Sequence, residues 1–170
     1  MLSKKLQDAI NEQINAELYS AYVYLSMAAY FEDQNLPGFA HWMRLQHDEE
    51  QVHAMKLFDF LVDRGARVVL KAIDAPPVEF ESPLQVFEAA LEHERKVTGL
   101  INDLYGLALE EGDYPTQVLL QWFISEQVEE EKSADDIVQQ LRLVGDYPPG
   151  LLMLDREMAA RQPESEETEA

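Results

Sequence analysis

The stretch Glu126-Gln127-Val128-Glu129-Glu130 lies in the middle of a long helical pattern, between Trp122-Phe123-Ile124 and the apolar residues Ala134 and Ile137. Apolar residues recur on both sides of it at steps of three and four, which is the period of one helix face. Gln127 and Glu130 fall on that same apolar face. Burying a carboxylate without a partner is very costly, so this helix indicates something bound or paired in the core. The shared face consists of Leu120, Phe123, Gln127, Glu130, Ala134, Ile137, Leu141 and Val144.

Three other helical patterns carry an acid on their apolar face. These acids are Glu17, Glu50 and Glu94, and His53 follows Glu50 at a spacing of three on the same face. The turn and capping residues predict four long helices and a short fifth one. The predicted helices cover residues 3–33, about 37–65, 82–111, 115–145 and 151–161.

The lengths of the connections predict the topology. The first and third turns are short, so each joins an antiparallel pair of helices. The middle connection, residues 66–82, is extended and can span about 56 Å, whereas each long helix is roughly 45 Å. It can therefore cross the whole molecule and make the second and third helices parallel. We predict an all-α four-helix bundle with one long crossover.

In such a bundle, the polar interruptions share one level of the core. The midpoints of the predicted helices lie near residues 18, 51, 97 and 130, almost at the positions of the buried acids. Oxygen donors with one imidazole and no thiolate suit iron or manganese, and four carboxylates balance two divalent ions. The alternative is a buried polar layer that fixes helix register. Four acids without lysine or arginine on these faces favour the two-metal hypothesis.

Composition limits the function classes. The 170 residues include 33 acids and 13 bases, giving a net charge of −20. This charge argues against a nucleic-acid or anionic-membrane partner, although plain solubility also explains it. There are no cysteines, and the longest uncharged run, residues 18–31, is too short to span a membrane. We predict a cytoplasmic protein with one domain over residues 1–161 and an acidic, disordered tail over 162–170.

Taken together, these motifs resemble the ferritin family, specifically the non-haem ferritins of prokaryotes. The resemblance covers the whole chain except the tail. It implies a ferritin-like fold and a ferroxidase that oxidises Fe(II) with O2 and stores ferric mineral inside a hollow homo-oligomeric shell of 24 subunits. The motifs that carry it are Glu17 with Tyr24, Glu49-Glu50-Gln51-Val52-His53, Glu94, and Trp122 followed by Glu126-Gln127-Val128-Glu129-Glu130.

The resemblance also implies roles for individual residues in a di-iron centre. Glu17, Glu50 and His53 would hold the first iron. Glu50, Glu94 and Glu130 would hold the second, with Gln127 hydrogen-bonding nearby. Tyr24 would be either an electron donor or a core tyrosine with a satisfied hydroxyl, and both interpretations stay open.

Three further acids, Glu49, Glu126 and Glu129, lie just off the inward faces. In prokaryotic ferritins the matching residues, together with the one at Glu130, form a third iron site, whereas a solvated acidic face is the alternative. Haem-binding relatives have a second Glu-x-x-His in the last bundle helix and a methionine after the bridging glutamate. Here Gln127, Glu130 and Gln51 occupy those positions, so we predict no haem.

Several interpretations compete beyond the site itself. The fifth helix would lie near a fourfold axis of the shell or fold back on its own bundle. The crossover loop would lie against a twofold mate. His41, His47 and His93 fall off the inward faces and are predicted at the surface.

Two other functions compete with iron storage. A rubrerythrin-like di-iron oxidase would require a second Glu-x-x-His, and a noncatalytic assembly bundle would form no iron site.

Overall fold

Five α-helices make up the fold in a computed structural model that describes residues 2–163. No strand occurs within these residues. The all-α prediction, with four long helices and a short fifth one, is confirmed. Residues 164–170, which form most of the predicted disordered tail, lie outside the described residues. The helices are α1 (Lys4–Asp33), α2 (Pro37–Asp63), α3 (Pro83–Glu110), α4 (Tyr114–Val144) and α5 (Pro148–Met158).

Three of the helix starts are set by side-chain caps. Ser3, Ser82 and Asp113 precede α1, α3 and α4, and each accepts a hydrogen bond from the backbone amide three residues later, at 3.0–3.2 Å. These bonds satisfy amides that have no partner inside the helix. The start that the sequence predicted around Ser82 and Pro83 is therefore confirmed.

The crossover between α2 and α3 runs along α1. Asn11 contacts the loop at Arg67 and Val69, with hydrogen bonds of 3.1 and 2.7 Å. Further along α1, Ser26 donates to the carbonyl of Pro77 at 2.6 Å. The loop thus passes from the start of α1 toward its end. Because α1 and α2 form a hairpin, this path returns the chain to the level at which α2 began and makes α3 parallel to α2.

The fifth helix differs from its predicted bounds. It begins at Pro148 rather than Leu151, because prolines fit the first turn, where the missing amide has no helical partner. It ends at Met158, so Arg161 lies beyond the helix. The helix packs against α2 and α4 of its own bundle, and its placement near a fourfold axis stays a prediction.

A close contact joins α5 to the start of α2. The Asp155 carboxylate accepts a hydrogen bond from the Phe39 amide at 3.0 Å, at a helix start that Leu36 does not cap with its side chain. Gly38 makes this approach possible, because a Cβ there would lie 1.6 Å from the Asp155 carbonyl oxygen.

Two apolar clusters fill the bundle, one toward each end. The first includes Phe31, Phe39 and Phe87, and the second includes Leu57 and Ile101. The buried acids lie on the same helices at sequence positions between those that supply the two clusters. The fold therefore places a polar layer between two apolar ones. None of the helices in the described part of the chain is both long and apolar enough to cross a membrane.

Candidate metal centre

The polar layer receives one inward-facing group or more from each of the four long helices. Every one of these side chains is at least 94% buried, although all of them are ionisable or strongly polar. Each follows the apolar face of its own helix, so burial of that face carries the polar group into the core. The group consists of Glu17 from α1, Glu50 and His53 from α2, Glu94 from α3, and Gln127 and Glu130 from α4.

One side of the layer is built by Glu17, Glu50 and His53. A ligand atom from each lies within 4.8 Å of the others, which is close enough for all three to contact one ion. The Nδ1 atom of His53 lies 3.3 Å from Oε2 of Glu50, one helical turn earlier. Gln13 supports the group from α1 by donating to Oε1 of Glu17 at 2.8 Å.

Two carboxylate oxygens in this group are orphaned. Oε2 of Glu17 and Oε2 of Glu50 are buried and accept no hydrogen bond with good geometry from the described residues, although the two carboxyl groups contact each other and Nδ1 of His53 lies 3.3 Å from Oε2 of Glu50. Buried polar atoms are almost always satisfied in native proteins. The orphaned oxygens therefore indicate a ligand, and a cation is the one that suits paired carboxylates.

The other side of the layer is built by Glu94, Gln127 and Glu130. The amide of Gln127 donates to Oε2 of Glu94 at 3.1 Å, and the Tyr24 hydroxyl donates to Oε1 of the same carboxylate. Gln46 donates to Oε2 of Glu130 at 2.7 Å. Glu94 and Glu130 are thus held by neutral donors that do not cancel their charge.

The electrostatics of the layer favour a bound cation. Burial raises the pKa of Glu17 to about 7. The pKa values of Glu50 and Glu130 lie well above the usual range, first because of burial and then because of the neighbouring negative charges. The pKa of Glu94 is also raised, again mainly by burial. Bringing these charged carboxylates together is unfavourable until a positive charge joins them.

His53 has the opposite shift. Burial, followed by the positive charge of Lys56, lowers its pKa to about 4. The imidazole is therefore neutral at pH 7, which is the form that binds metals. Its ring also lies edge-on to Trp122, with centroids 5.3 Å apart, so its orientation is set by packing.

Tyr24 is fully buried beside the acids. Its pKa lies well above the usual range because of burial and the Glu94 charge, so the phenol keeps its proton and donates to Glu94. Its ring packs against Trp42 at a centroid distance of 6.3 Å. The sequence alternative of a core tyrosine with a satisfied hydroxyl describes this geometry, and electron donation stays a prediction.

The three outer acids occupy different environments. Glu126 is half-buried and forms a second possible ion-binding group with His53 and Glu130, whose ligand atoms lie within 4.8 Å of one another. Glu129 is exposed. Glu49 is buried, and both of its oxygens accept hydrogen bonds from Arg161 at 3.1 and 2.8 Å. The structure brings Glu126 to the centre, whereas it pairs Glu49 with an internal cation.

The residues that support the site were not predicted from the sequence. Gln46 supports Glu130 through a hydrogen bond that no sequence pattern predicted. Arg161 was assigned to the fifth helix without a partner. The prediction that three histidines lie at the surface is also inaccurate, because His41, His47 and His93 are half-buried and each has a hydrogen-bonded ring nitrogen.

Comparison with known proteins agrees with this architecture. Residues 7–144 match the family model described as Ferritin-like domain. The bacterial non-heme ferritin of Bacteroides fragilis (strain 638R) is 44% identical over 161 residues, which cover 95% of this chain and 100% of the relative. That of Staphylococcus saprophyticus subsp. saprophyticus is 42% identical over 161 residues, covering 95% and 96%.

Solved structures give the same result. An open pore ferritin from the hyperthermophilic archaeon Archaeoglobus fulgidus has a TM-score of 0.94 and 53% sequence identity, covering 95% of this chain and 100% of that one. A structure described as a humanized archaeal ferritin has a TM-score of 0.96 at 52% identity, covering 97% and 100%. The relatives, the matched domain and the carboxylate layer agree, and the chain belongs to the ferritin family of iron-storage proteins.

Proposed function

We propose that this chain is a ferroxidase, which oxidises Fe(II) with O2 at a di-iron centre in the polar layer. The observation that carries the proposal is the pair of orphaned, buried oxygens of Glu17 and Glu50 beside the neutral imidazole of His53. Iron is the substrate here, and haem has no part in the proposal.

The two iron positions follow from the two sides of the layer. Glu17, Glu50 and His53 hold the first Fe(II). Glu50, whose pKa responds to the charges of Glu94 and Glu130, would also contribute to the second, which those two residues would hold from α3 and α4. Four carboxylates and two divalent ions have no net charge, so iron binding offsets both the burial and the mutual repulsion that raise the pKa values of these acids. The carboxyl groups that are protonated at neutral pH release their protons as iron enters.

The reaction balances with these parts alone. Two Fe(II) ions each lose one electron, and one O2 takes up both electrons with two protons to give hydrogen peroxide. The Gln127 amide and the Tyr24 phenol are the neutral donors next to this chemistry, and both contact Glu94. They keep Glu94 oriented, so the second position is formed before iron arrives.

We also propose an exit position for oxidised iron. Glu126 shares His53 and Glu130 with the centre, and it is half-buried rather than enclosed. An ion at Glu126 would thus lie between the buried layer and the surface of α4. Glu129, which is exposed one turn from Glu126, and Glu49 complete the predicted third site.

The oxidised iron is stored, on this proposal, inside a shell of 24 identical chains. Exposed apolar side chains on α1, α2 and the crossover support assembly, because a chain with a charge of −20 needs apolar contacts to associate. Tyr22, Leu25, Val52, Ile73 and Val78 are each 41–66% exposed. Light scattering measures the mass of the particle, and electron microscopy shows whether its wall is closed or open, as in the open pore relative from Archaeoglobus.

Stepwise addition of Fe(II) in air tests the ferroxidase. We expect a fast oxidation phase that saturates near two irons per chain, followed by slower accumulation of soluble mineral. Replacing Glu50 with alanine should reduce the fast phase about 100-fold or more, because both iron positions use this carboxylate. Asp59→Ala, an exposed acid on the same helix, should behave like the unmodified protein. A Glu50→Ala shell that keeps the full rate would exclude the proposed centre.

A further inference from the structure

Arg161 reaches from the segment after α5 to the inner part of α2. Its guanidinium donates to both oxygens of Glu49, at 3.1 and 2.8 Å, and to Oε1 of Gln46 at 2.5 Å. It also lies over the Trp42 ring, 4.8 Å from its centroid. The Arg161 side chain is 22% exposed and that of Glu49 is 10% exposed. This is a partly buried ion pair in which one guanidinium nitrogen contacts both oxygens of Glu49 while a second nitrogen contacts Gln46. Such charge-assisted hydrogen bonds are stronger than neutral ones.

The contact with Gln46 fixes the direction of an amide. A guanidinium has only donors, so it can contact only the oxygen end of the Gln46 side chain. The nitrogen end then faces α4, where it donates to Oε2 of Glu130 at 2.7 Å. A hydrogen-bonded path thus connects Arg161 through Gln46 to a carboxylate of the iron layer.

We propose that Arg161 is a positioning residue of the iron site and an internal cation that occupies Glu49. Through Gln46 it keeps a donor on Glu130. At Glu49 it takes the place of a metal ion, so an ion that uses Glu49 must first displace the guanidinium. This inference deepens the proposed function and rests on the assignment of Glu130 as an iron ligand.

The same segment is anchored to α2 at a second point. Asp155 caps the start of α2, and Arg161 holds Gln46 and Glu49 further along the same helix. The backbone carbonyl of Arg161 also lies 3.0 Å from a ring nitrogen of His41. The position of the donor on Glu130 therefore depends on how the α5 segment packs against α2.

Zinc binding to the chelator-treated full chain tests the inference without iron oxidation. Calorimetry would count the Zn²⁺ ions per chain and measure the affinity of the ion that binds last. In Arg161→Ala that ion should bind about tenfold more tightly or better, because no charged hydrogen bond has to be broken first. Arg161→Lys keeps the charge but has one nitrogen in place of the two that contact Gln46 and Glu49, so its affinity should lie between the two. Arg156→Ala removes an exposed arginine of α5 and should match the unmodified chain.

A double variant separates this role from a loosened α5. In Arg161→Ala combined with Glu49→Gln, the gain in affinity should disappear, because it depends on the Glu49 carboxylate that Arg161 no longer contacts. A gain in affinity that persists would mean that Zn²⁺ enters the site more easily for a reason other than Glu49, and it would overturn the inference. Identical titrations for Arg161→Ala and the unmodified chain would overturn it too. Failure of the unmodified chain to bind a pair of Zn²⁺ ions would instead refute the proposed di-metal centre.

Discussion

Replacing Glu17 with glutamine should make the iron-free protein more stable while weakening its iron site. Glu17 is 1% exposed, and burial raises its pKa from 4.5 to about 7. A shift of this size means that the ionised form destabilises the fold by about 3 kcal/mol above pH 7. Glutamine has nearly the same shape and keeps an oxygen for the Gln13 amide, but it has no charge to bury.

The pH dependence identifies the cause. A carboxyl group whose pKa rises on folding stabilises the protein fully below about 4.5, and this contribution is lost as the pH rises through about 7. The difference in the free energy of unfolding between Glu17→Gln and the unmodified protein should therefore be near zero at pH 4.5 and largest at pH 8. His53 has the opposite effect, because its lowered pKa removes stability as the pH falls from 6.5 toward 4. Both proteins contain His53, so its effect largely cancels in the comparison.

Differential scanning calorimetry of chelator-treated protein at several pH values is the assay. For a domain of this size, 3 kcal/mol corresponds to a rise in Tm of about 6–12 °C at pH 8. Asp59→Asn, which removes an exposed charge, should leave Tm nearly unchanged. Added Zn²⁺ should raise Tm more in the unmodified protein than in Glu17→Gln. A Tm gain that is the same at pH 5 and pH 8 would refute the assignment of a buried, ionised Glu17.

Two further predictions concern the framework. Gly38→Ala should lower Tm by about 4–8 °C, since the new Cβ would overlap the Asp155 carbonyl and displace α5. Gly99→Ala, where a Cβ meets nothing within 4 Å, should be neutral or stabilising, and equal behaviour of the two would contradict the close contact. Asp113→Ala should cost about 2–3 kcal/mol in thermal unfolding, because it removes the cap of α4 and two hydrogen bonds from Arg64 at 2.9 and 2.8 Å. A Tm within the error of the unmodified protein would show that both contacts are dispensable.

The centre of the site could be predicted because it depends on helix period and helix length alone. Glu17, Glu50, Glu94 and Glu130 each interrupt an apolar face near the middle of a helix. Antiparallel hairpins and one long crossover align those midpoints. Once the connections are known, no tertiary detail is needed to bring the four acids to one level.

The supporting residues could not be predicted, because they depend on contacts between distant parts of the chain. Arg161 reaches Glu49 only after α5 has docked, and docking depends on the approach of Asp155 to Gly38. No periodic pattern within one helix encodes that approach. The bounds of α5 differ for a related reason, since Arg161 was assigned to a helix that ends at Met158.

The histidines were predicted at the surface because each helix was given only one buried face. A helix inside a bundle touches two neighbours, so residues beside its inward face are covered as well. His93 is an example, because it lies at the contact between α3 and α1 and hydrogen-bonds to Ser20 at 2.8 Å. Assigning each helix one buried face and one exposed face places such residues wrongly at the surface.

Because the two apolar clusters are separate, mutations in one cluster should not change the effects of mutations in the other. Phe31 and Phe87 belong to one cluster, and Leu57 and Ile101 belong to the other. Residues that share no partners have additive effects on stability, whereas residues in contact are coupled. Changes at one end of the bundle can therefore accumulate without requiring compensation at the other. A lineage of such proteins can repack either end while the ligands between them keep their positions.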